Sequence, residues 1–384
     1  MRKTPLVALG LVVAILAALG LFVLSSASVA NGTRLHHDAN YFVVRQAVYA
    51  VAGILVAAVA AFIDYHVYRD HPSLAWMAYA LVLVLLGLVF APHIGRTING
   101  SARWISCGFF NLQPGELAKL VIVIVLAVWF DKAGYRVELF MRGAFMPYAL
   151  IGILALLVMV EPDFGSTFVM GLTGTLLAFV AGVRLFHILP FVALGGALVA
   201  AKVFTNANRM ARLKAWFVDD ADATVVLDAA AKNAAHQGNM ALAAIGRGGI
   251  NGVGVGQSMQ KHLYLPESHT DMIFAIGAEE GGLWFSILVI VLFLAFFGLS
   301  VYVALKAEDA FGRLLVIGMA FILVFPAFFN IGVVCEALPM KGMALPFFSY
   351  GGTNLVCAAF AVGTILSVGI HSRSRSRKRA VSHG

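Results

Sequence analysis

The chain is divided into apolar stretches, each about as long as a bilayer is thick, and nothing constrains its fold more. A helix needs roughly 20 apolar residues to cross the hydrocarbon. Ten such stretches can be read, at about 5–26, 44–63, 74–91, 114–130, 145–161, 164–183, 186–204, 272–304, 313–335 and 346–370. Lipid offers the backbone no hydrogen-bond partner, so each stretch must pair its own amides as a helix. The expected fold is an all-α, polytopic membrane protein with about ten transmembrane helices. Only 12% of the 384 residues are charged, against about 25% in a soluble domain, and the mean hydropathy is +0.90. The first stretch follows Met1-Arg2-Lys3 and ends in "SSASVANG", which resembles a signal-peptidase site. Its apolar core, Leu6 to Leu24, exceeds the usual signal length of about 7–15 residues. It is read as a retained span.

Basic residues orient the spans. With the N-terminus inside, the short inner loops and tail hold Arg2, Lys3, Arg69, Lys132, Arg136, Arg142, Arg184, Lys306, Arg313, Arg373, Arg375, Arg377, Lys378 and Arg379. The outer loops hold Arg34, Arg96, Arg103 and Lys341. Fourteen against four follows the positive-inside rule. The net charge of +8 therefore reflects topology, and no nucleic acid is expected. Residues 1–370 read as one transmembrane domain and 371–384, "HSRSRSRKRAVSHG", as a basic cytoplasmic tail resting on anionic lipid. The loop 205–271, between helices 7 and 8, falls outside the cytoplasm. No ATP is found there, so any bond made there needs a donor activated beforehand. The inverted repeat common in transporters is missing. Cys107, Cys335 and Cys357 have no metal-ligand spacing, and their odd number gives no disulfide framework.

Several constellations stand at the outer ends of the spans. "LPESHTDMIFAIGAEEGG" carries Glu267, His269, Asp271, Glu279 and Glu280 at the threshold of a span. Asp271 is an N-cap residue type, but acids beside hydrocarbon are costly and usually paired or functional. Glu279 and Glu280 need partners, and Lys119 and Lys202 are candidates. Glu116 and Lys119 share a helix face at i,i+3, after Gln113-Pro114, with Pro114 suited to a first turn. They read either as a self-neutralising pair or as a cation offered to phosphate, with Trp104 beside a sugar or lipid. Glu161 and Asp163 flank Pro162 in a turn. They are capping acids, or Glu161 pairs with Lys119 or faces the same cavity. Arg209, Arg212, Trp216 and Phe217 read as an amphipathic interfacial helix. The glycines of "IGRGGINGVGVGQS" lack the strand and helix of a dinucleotide motif and read as tight turns near a lipid headgroup. Lys341 adds another outer cation. The small residues at Ser349-Tyr350-Gly351-Gly352 permit close helix approach.

Together these stretches resemble the SEDS family (shape, elongation, division and sporulation) of cell-wall glycosyltransferases. The matching signatures are Asn99-Gly100-Ser101 with Arg103-Trp104, Gln113-Pro114 with Glu116 and Lys119, Glu161-Pro162-Asp163, and Gly246 to Gly256. Leu265-Pro266-Glu267 with His269-Thr270-Asp271, Leu338-Pro339 with Lys341-Gly342, and Leu345-Pro346-Phe347 with Ser349 to Gly352 continue them. They come in family order over nearly the whole chain. The loop form and Lys341-Gly342 resemble the FtsW branch more than the RodA branch. Departures are an Ala/Asp-rich segment at 221–235, Met240-Ala241, Arg247, Gly115 and Glu336.

The resemblance implies a lipid II polymerase of cell division, inverting at the donor's anomeric carbon. Asp271 would be the general base. Lys119, Arg103, Arg209, Arg212 and Lys341 are the candidates for phosphate contact. Glu116, Trp104, Glu161, Glu267, His269 and Ser349 would border the substrate. The implied partners are lipid II, the undecaprenyl-pyrophosphate-linked glycan, a class B penicillin-binding transpeptidase and other divisome membrane proteins. No cofactor is fixed; a divalent cation, magnesium or manganese, is the alternative way to acidify the attacking hydroxyl. The implied location is the bacterial plasma membrane at the septum, both termini cytoplasmic and the active face outside. A lipid II flippase and a non-catalytic division scaffold are the rival readings.

Overall fold

The computed structural model describes residues 3–98, 101–108, 110–207, 210, 212–213, 216, 229–261 and 268–382. Each of the ten expected spans has its helix. Among the described residues seven helices are long and apolar enough to cross a membrane, and Pro72–Leu88 and Phe164–Val180 are shorter apolar ones. Pro114–Ala133 completes the set. In chain order the helices are α1 (Lys3–Ala27), α2 (Val29–His36), α3 (Tyr41–Phe62), α4 (His66–Asp70), α5 (Pro72–Leu88) and α6 (Pro114–Ala133). Then come α7 (Met146–Val160, entered through a π-turn at Met141–Phe145), α8 (Phe164–Val180), α9 (Leu185–Phe204) and α10 (Ala229–Gly248). The last three are α11 (Ile273–Leu305), α12 (Ala310–Val334) and α13 (Gly352–Ser382).

α6 is the axis of the bundle. From Leu120 to Phe130 it is apolar all round, and its residues from Pro114 to Val128 are buried apart from Leu117, as expected of a helix enclosed by others. It packs on α5, α8 and α12, while α13 lies along α3 and α11 along α12 and α1. α9 is the opposite case, with Ile188 its one buried residue. At one end of the bundle polar side chains tie the loops together. His66 lies between Asp64 (2.6 Å) and Asp309 (2.8 Å), and Arg69 reaches Asp131 (2.9 Å) and Asp309 (3.4 Å).

The sequence reading needs correction in three places. A small antiparallel sheet stands where a plain loop was expected: β1 (Gly95–Ile98), β2 (Ser101–Ser106) and β3 (Asn111–Leu112), in that order. Arg96 faces Trp104 across the first pair. The last span starts at Gly352 rather than 346, and its helix runs on to Ser382 through most of the expected tail. α11 is broken at Gly282, whose φ of 67° and ψ of −159° lie outside the helical region.

That break explains the glycine-rich stretch. A Cβ on Gly282 would collide with the backbone of Gly252 and Ile250, and one on Gly252, itself at φ 79°, with the Glu280 carbonyl. Only glycine fits such a contact. Across it Val253 N donates to Glu279 O (3.0 Å), Gly254 N to Glu280 O (3.1 Å) and Leu283 N to Gly249 O (2.9 Å). The stretch thus pairs backbone groups that the break leaves open. It packs on α11.

Candidate active site

A cavity of about 1110 Å³ opens at the bundle end opposite the Asp309 cluster. A chamber of about 230 Å³ adjoins it. The two share Arg103, Trp104, Asp163, Gly165, Thr270, Asp271, Gly342, Tyr350 and Gly351 in their walls. The walls come from the starts of α3, α6 and α8, the ends of α9 and α12, Gln237 of α10, the sheet, and the segments leading into α11 and α13.

Asp271 stands where cavity and chamber meet and is half-buried. Capping was one reading for it. The helix instead begins at Ile273, with Met272 in the N-cap position and no side-chain cap bond. The backbone around Asp271 is clamped from three sides. Asn330 Nδ2 donates to Asp271 O (2.7 Å) and to Met343 O (2.7 Å). Ser349 Oγ donates to Thr270 O (2.7 Å) while accepting from Leu345 N (2.7 Å). Tyr350 N donates to His269 O (3.0 Å). The carboxylate leans over Gly342, where an added Cβ would fall well inside contact distance of Oδ2.

The cations surround this point. Lys119 Nζ donates to Glu116 Oε1 (2.8 Å), and Asn354 Nδ2 donates to Glu116 Oε2 (3.1 Å). Glu116 is the partner that holds Lys119 among the described residues, so two of three ammonium donors remain for a ligand in the chamber. Arg103 donates through Nε to Glu161 O (3.2 Å) and through Nη2 to Pro162 O (2.8 Å), which fixes its plane beside Trp104. Lys341 lies over the rings of Phe164 (4.9 Å), Phe168 (4.9 Å) and Phe329 (5.4 Å), a cation–π cradle. Arg96 and Arg212 also border the larger cavity. His269 Nδ1 meets Asn31 Nδ2 (3.1 Å), and its ring packs on Phe42 (4.7 Å).

Other expectations fail. Glu161 does not pair with Lys119 and is not in the wall. It is fully buried, both its oxygens lack a hydrogen-bond partner, and burial reinforced by the Asp163 charge pushes its carboxyl up to about 8 against the pull of Arg103. Its neighbour Asp163 takes the wall position, capping α8 through Ser166 N (3.1 Å) and accepting from Gln113 Nε2 (3.2 Å). Ser349 is likewise behind the wall, since its hydroxyl is spent on Thr270 and Leu345. Arg209 and Glu267 lie outside the described residues.

Glu279 and Glu280 do not meet Lys119 or Lys202. Glu279 accepts from Arg247 (3.2 Å), Met259 N (3.1 Å) and the Ser258 hydroxyl. Glu280 accepts from Lys261 (3.4 Å) and the Ser26 hydroxyl. They fasten α1, α10 and the glycine-rich stretch to α11, so their charge does not border Asp271. The acids sharing its chamber are Glu116 and Asp163. Among the described residues no group of three or more His, Cys, Asp or Glu side chains can hold a metal ion.

Sequence reasoning missed Arg45, Tyr41 and Tyr350 in the cavity wall. Arg45 carried a readable signal: it is the one charged residue within α3.

Known proteins resemble this chain over most of its length. A family model for FtsW, RodA and SpoVE, described as "Cell cycle protein", matches residues 7–374. A probable peptidoglycan glycosyltransferase FtsW of Geobacter metallireducens is 39% identical over 354 residues, covering 92% of this chain and 91% of that protein. Its namesake in Coxiella burnetii is 36% identical over 360 residues, 92% and 93% of the two chains. The crystal structure of the rod shape determining protein RodA of Thermus thermophilus superposes with a TM-score of 0.66 at 25% identity, over 95% of this chain and 96% of that one. A chain from a peptidoglycan synthase complex that coordinates polymerization and crosslinking gives 0.67 at 25% identity, over 95% and 97%.

Proposed function

The chain belongs to the FtsW/RodA/SpoVE family of cell cycle proteins, and we propose that it is a peptidoglycan glycosyltransferase that polymerises lipid II at the division septum. One observation carries the reading: a half-buried carboxylate, Asp271, at the junction of two spaces walled by cations and aromatic rings. A lipid-linked sugar diphosphate asks for that combination. Cations take the phosphates, aromatic faces take the sugar, and the open apolar end of α9 leaves room for a polyprenyl tail.

The reaction joins two such molecules. A hydroxyl of the acceptor sugar attacks the anomeric carbon of the donor glycan, and a new C–O bond forms with inversion. The bond from that carbon to the diphosphate oxygen breaks, and its electron pair leaves with the diphosphate. Asp271 takes the hydroxyl proton and later releases it to water. Its clamped backbone and the bare Gly342 hold the carboxylate in one place, as general-base catalysis requires. Lys119 and Arg103 stabilise the charge that grows on the leaving diphosphate, where preformed donors act most strongly.

We place this face outside the cytoplasm because fourteen basic residues mark the other side. The likeness to a chain of a complex that pairs polymerization with crosslinking supports a transpeptidase partner of the penicillin-binding class. Fluorescent lipid II with purified protein tests the reading. Glycan chains are expected, and headgroup transfer across vesicles without polymer would replace transferase by flippase.

A further inference from the structure

We propose that Arg45 is a second anion site, holding the diphosphate of the lipid-linked substrate that is not expelled. This rests on the transferase reading and adds a site to it. A reaction between two lipid diphosphates has one base and two strongly charged groups to place. Lys119 borders only the smaller chamber, Arg103 both spaces, and Arg45 only the larger cavity. Asp271 borders both, so cations lie to each side of the base.

Arg45 is built for an external anion. It sits one turn inside α3 and is its only charge, which is costly in a membrane span without a function. Among the described residues it enters no ion pair. Its guanidinium nevertheless has a fixed plane. It lies over the Tyr41 ring at 4.4 Å, and Tyr41 is stacked on His36 at 3.5 Å with 11° between the planes. An ordered, exposed fork with no carboxylate partner is the usual way to grip a phosphate at two oxygens. The diphosphate that leaves would sit with Lys119 and Arg103, and the one that stays with Arg45.

Equilibrium binding of undecaprenyl diphosphate to the full-length Asp271→Asn protein in nanodiscs tests this, because that ligand carries no sugar to transfer. The parent should bind two molecules. Adding Arg45→Met should leave one, and adding Arg103→Met should also leave one. Arg45→Lys should keep two, with the weaker about 10-fold looser, as expected for a lost charge-assisted fork. In the polymerising enzyme Arg45→Met should raise the KM for lipid II at least about 10-fold, more than it lowers kcat. A parent that binds one diphosphate, or an Arg45→Met chain that still binds two, overturns the site. An Arg45→Met chain that binds none while Arg45→Lys also binds none overturns it too, because the effect then follows the fold rather than the charge. Two bound diphosphates without any polymer from the wild type would sink the transferase reading and leave Arg45 standing.

Discussion

At Gly342 a hydrogen atom occupies the space that the Asp271 carboxylate needs. Gly342→Ala should push that carboxylate from its place. We expect kcat for polymerisation to fall at least about 10-fold while KM and the melting temperature stay close to wild type; equal activity would mean the carboxylate has room to move. The buried pair makes a different demand. Lys119→Met leaves the Glu116 carboxylate without its cation, which costs about 3–5 kcal/mol. Adding Glu116→Gln should return most of the melting temperature and none of the activity, because the phosphate donors are still gone. Recovery of both would make Lys119 structural only. Glu161 gives a pH test. Its folded pKa of about 8 exceeds the ordinary 4.5, so the folded chain holds a proton that the unfolded chain releases. The stability this gives is fully present below about 4.5 and is gone once pH has risen past about 8. Wild type should therefore lose melting temperature relative to Glu161→Gln across that window. Parallel curves would show that Glu161 is ionised throughout.

At the scale of elements, the kink in α11 decides where Asp271 stands. The half-helix from Ile273 to Gly281 is held by the glycine-rich stretch and by the Glu279 and Glu280 network, away from the cavity. Gly282→Ala asks a side chain to adopt φ 67° in space filled by Gly252 and Ile250. We expect loss of folded protein on extraction, measured by size-exclusion monodispersity, and a monodisperse, active Gly282→Ala protein would mean the stretch can step aside. Little of this was legible beforehand. Hydropathy located ten helices, nine of them to within a few residues, since a span is specified by local composition. Asp271 was legible because a carboxylate at a span edge is costly by itself. The partners of Glu279 and Glu280 were not, because Lys261, Ser26 and Arg247 reach them only through tertiary packing. The sheet was missed for a related reason: its strands are short and lie in an otherwise polar loop. Arg45 was visible as a charge in a span but was absorbed into it.

The whole molecule is polarised. One end carries the cavity, and the other carries the His66–Asp309 ties and most of the basic loop residues. Cysteine labelling checks the orientation in a background freed of Cys107, Cys335 and Cys357. His236→Cys, exposed on α10, should react with an impermeant reagent from outside, and Tyr135→Cys, 82% exposed, only after the membrane is opened. The reverse pattern would put the cavity in the cytoplasm and end the outer-face proposal. The central claim is that Asp271 takes the proton during glycan formation, and polymerisation of fluorescent lipid II by purified Asp271→Asn protein measures it most directly. Asparagine keeps the shape and removes the base. The account expects an inserted, folded protein whose polymerisation rate falls about 100- to 10,000-fold, and a rate within about threefold of wild type would contradict it.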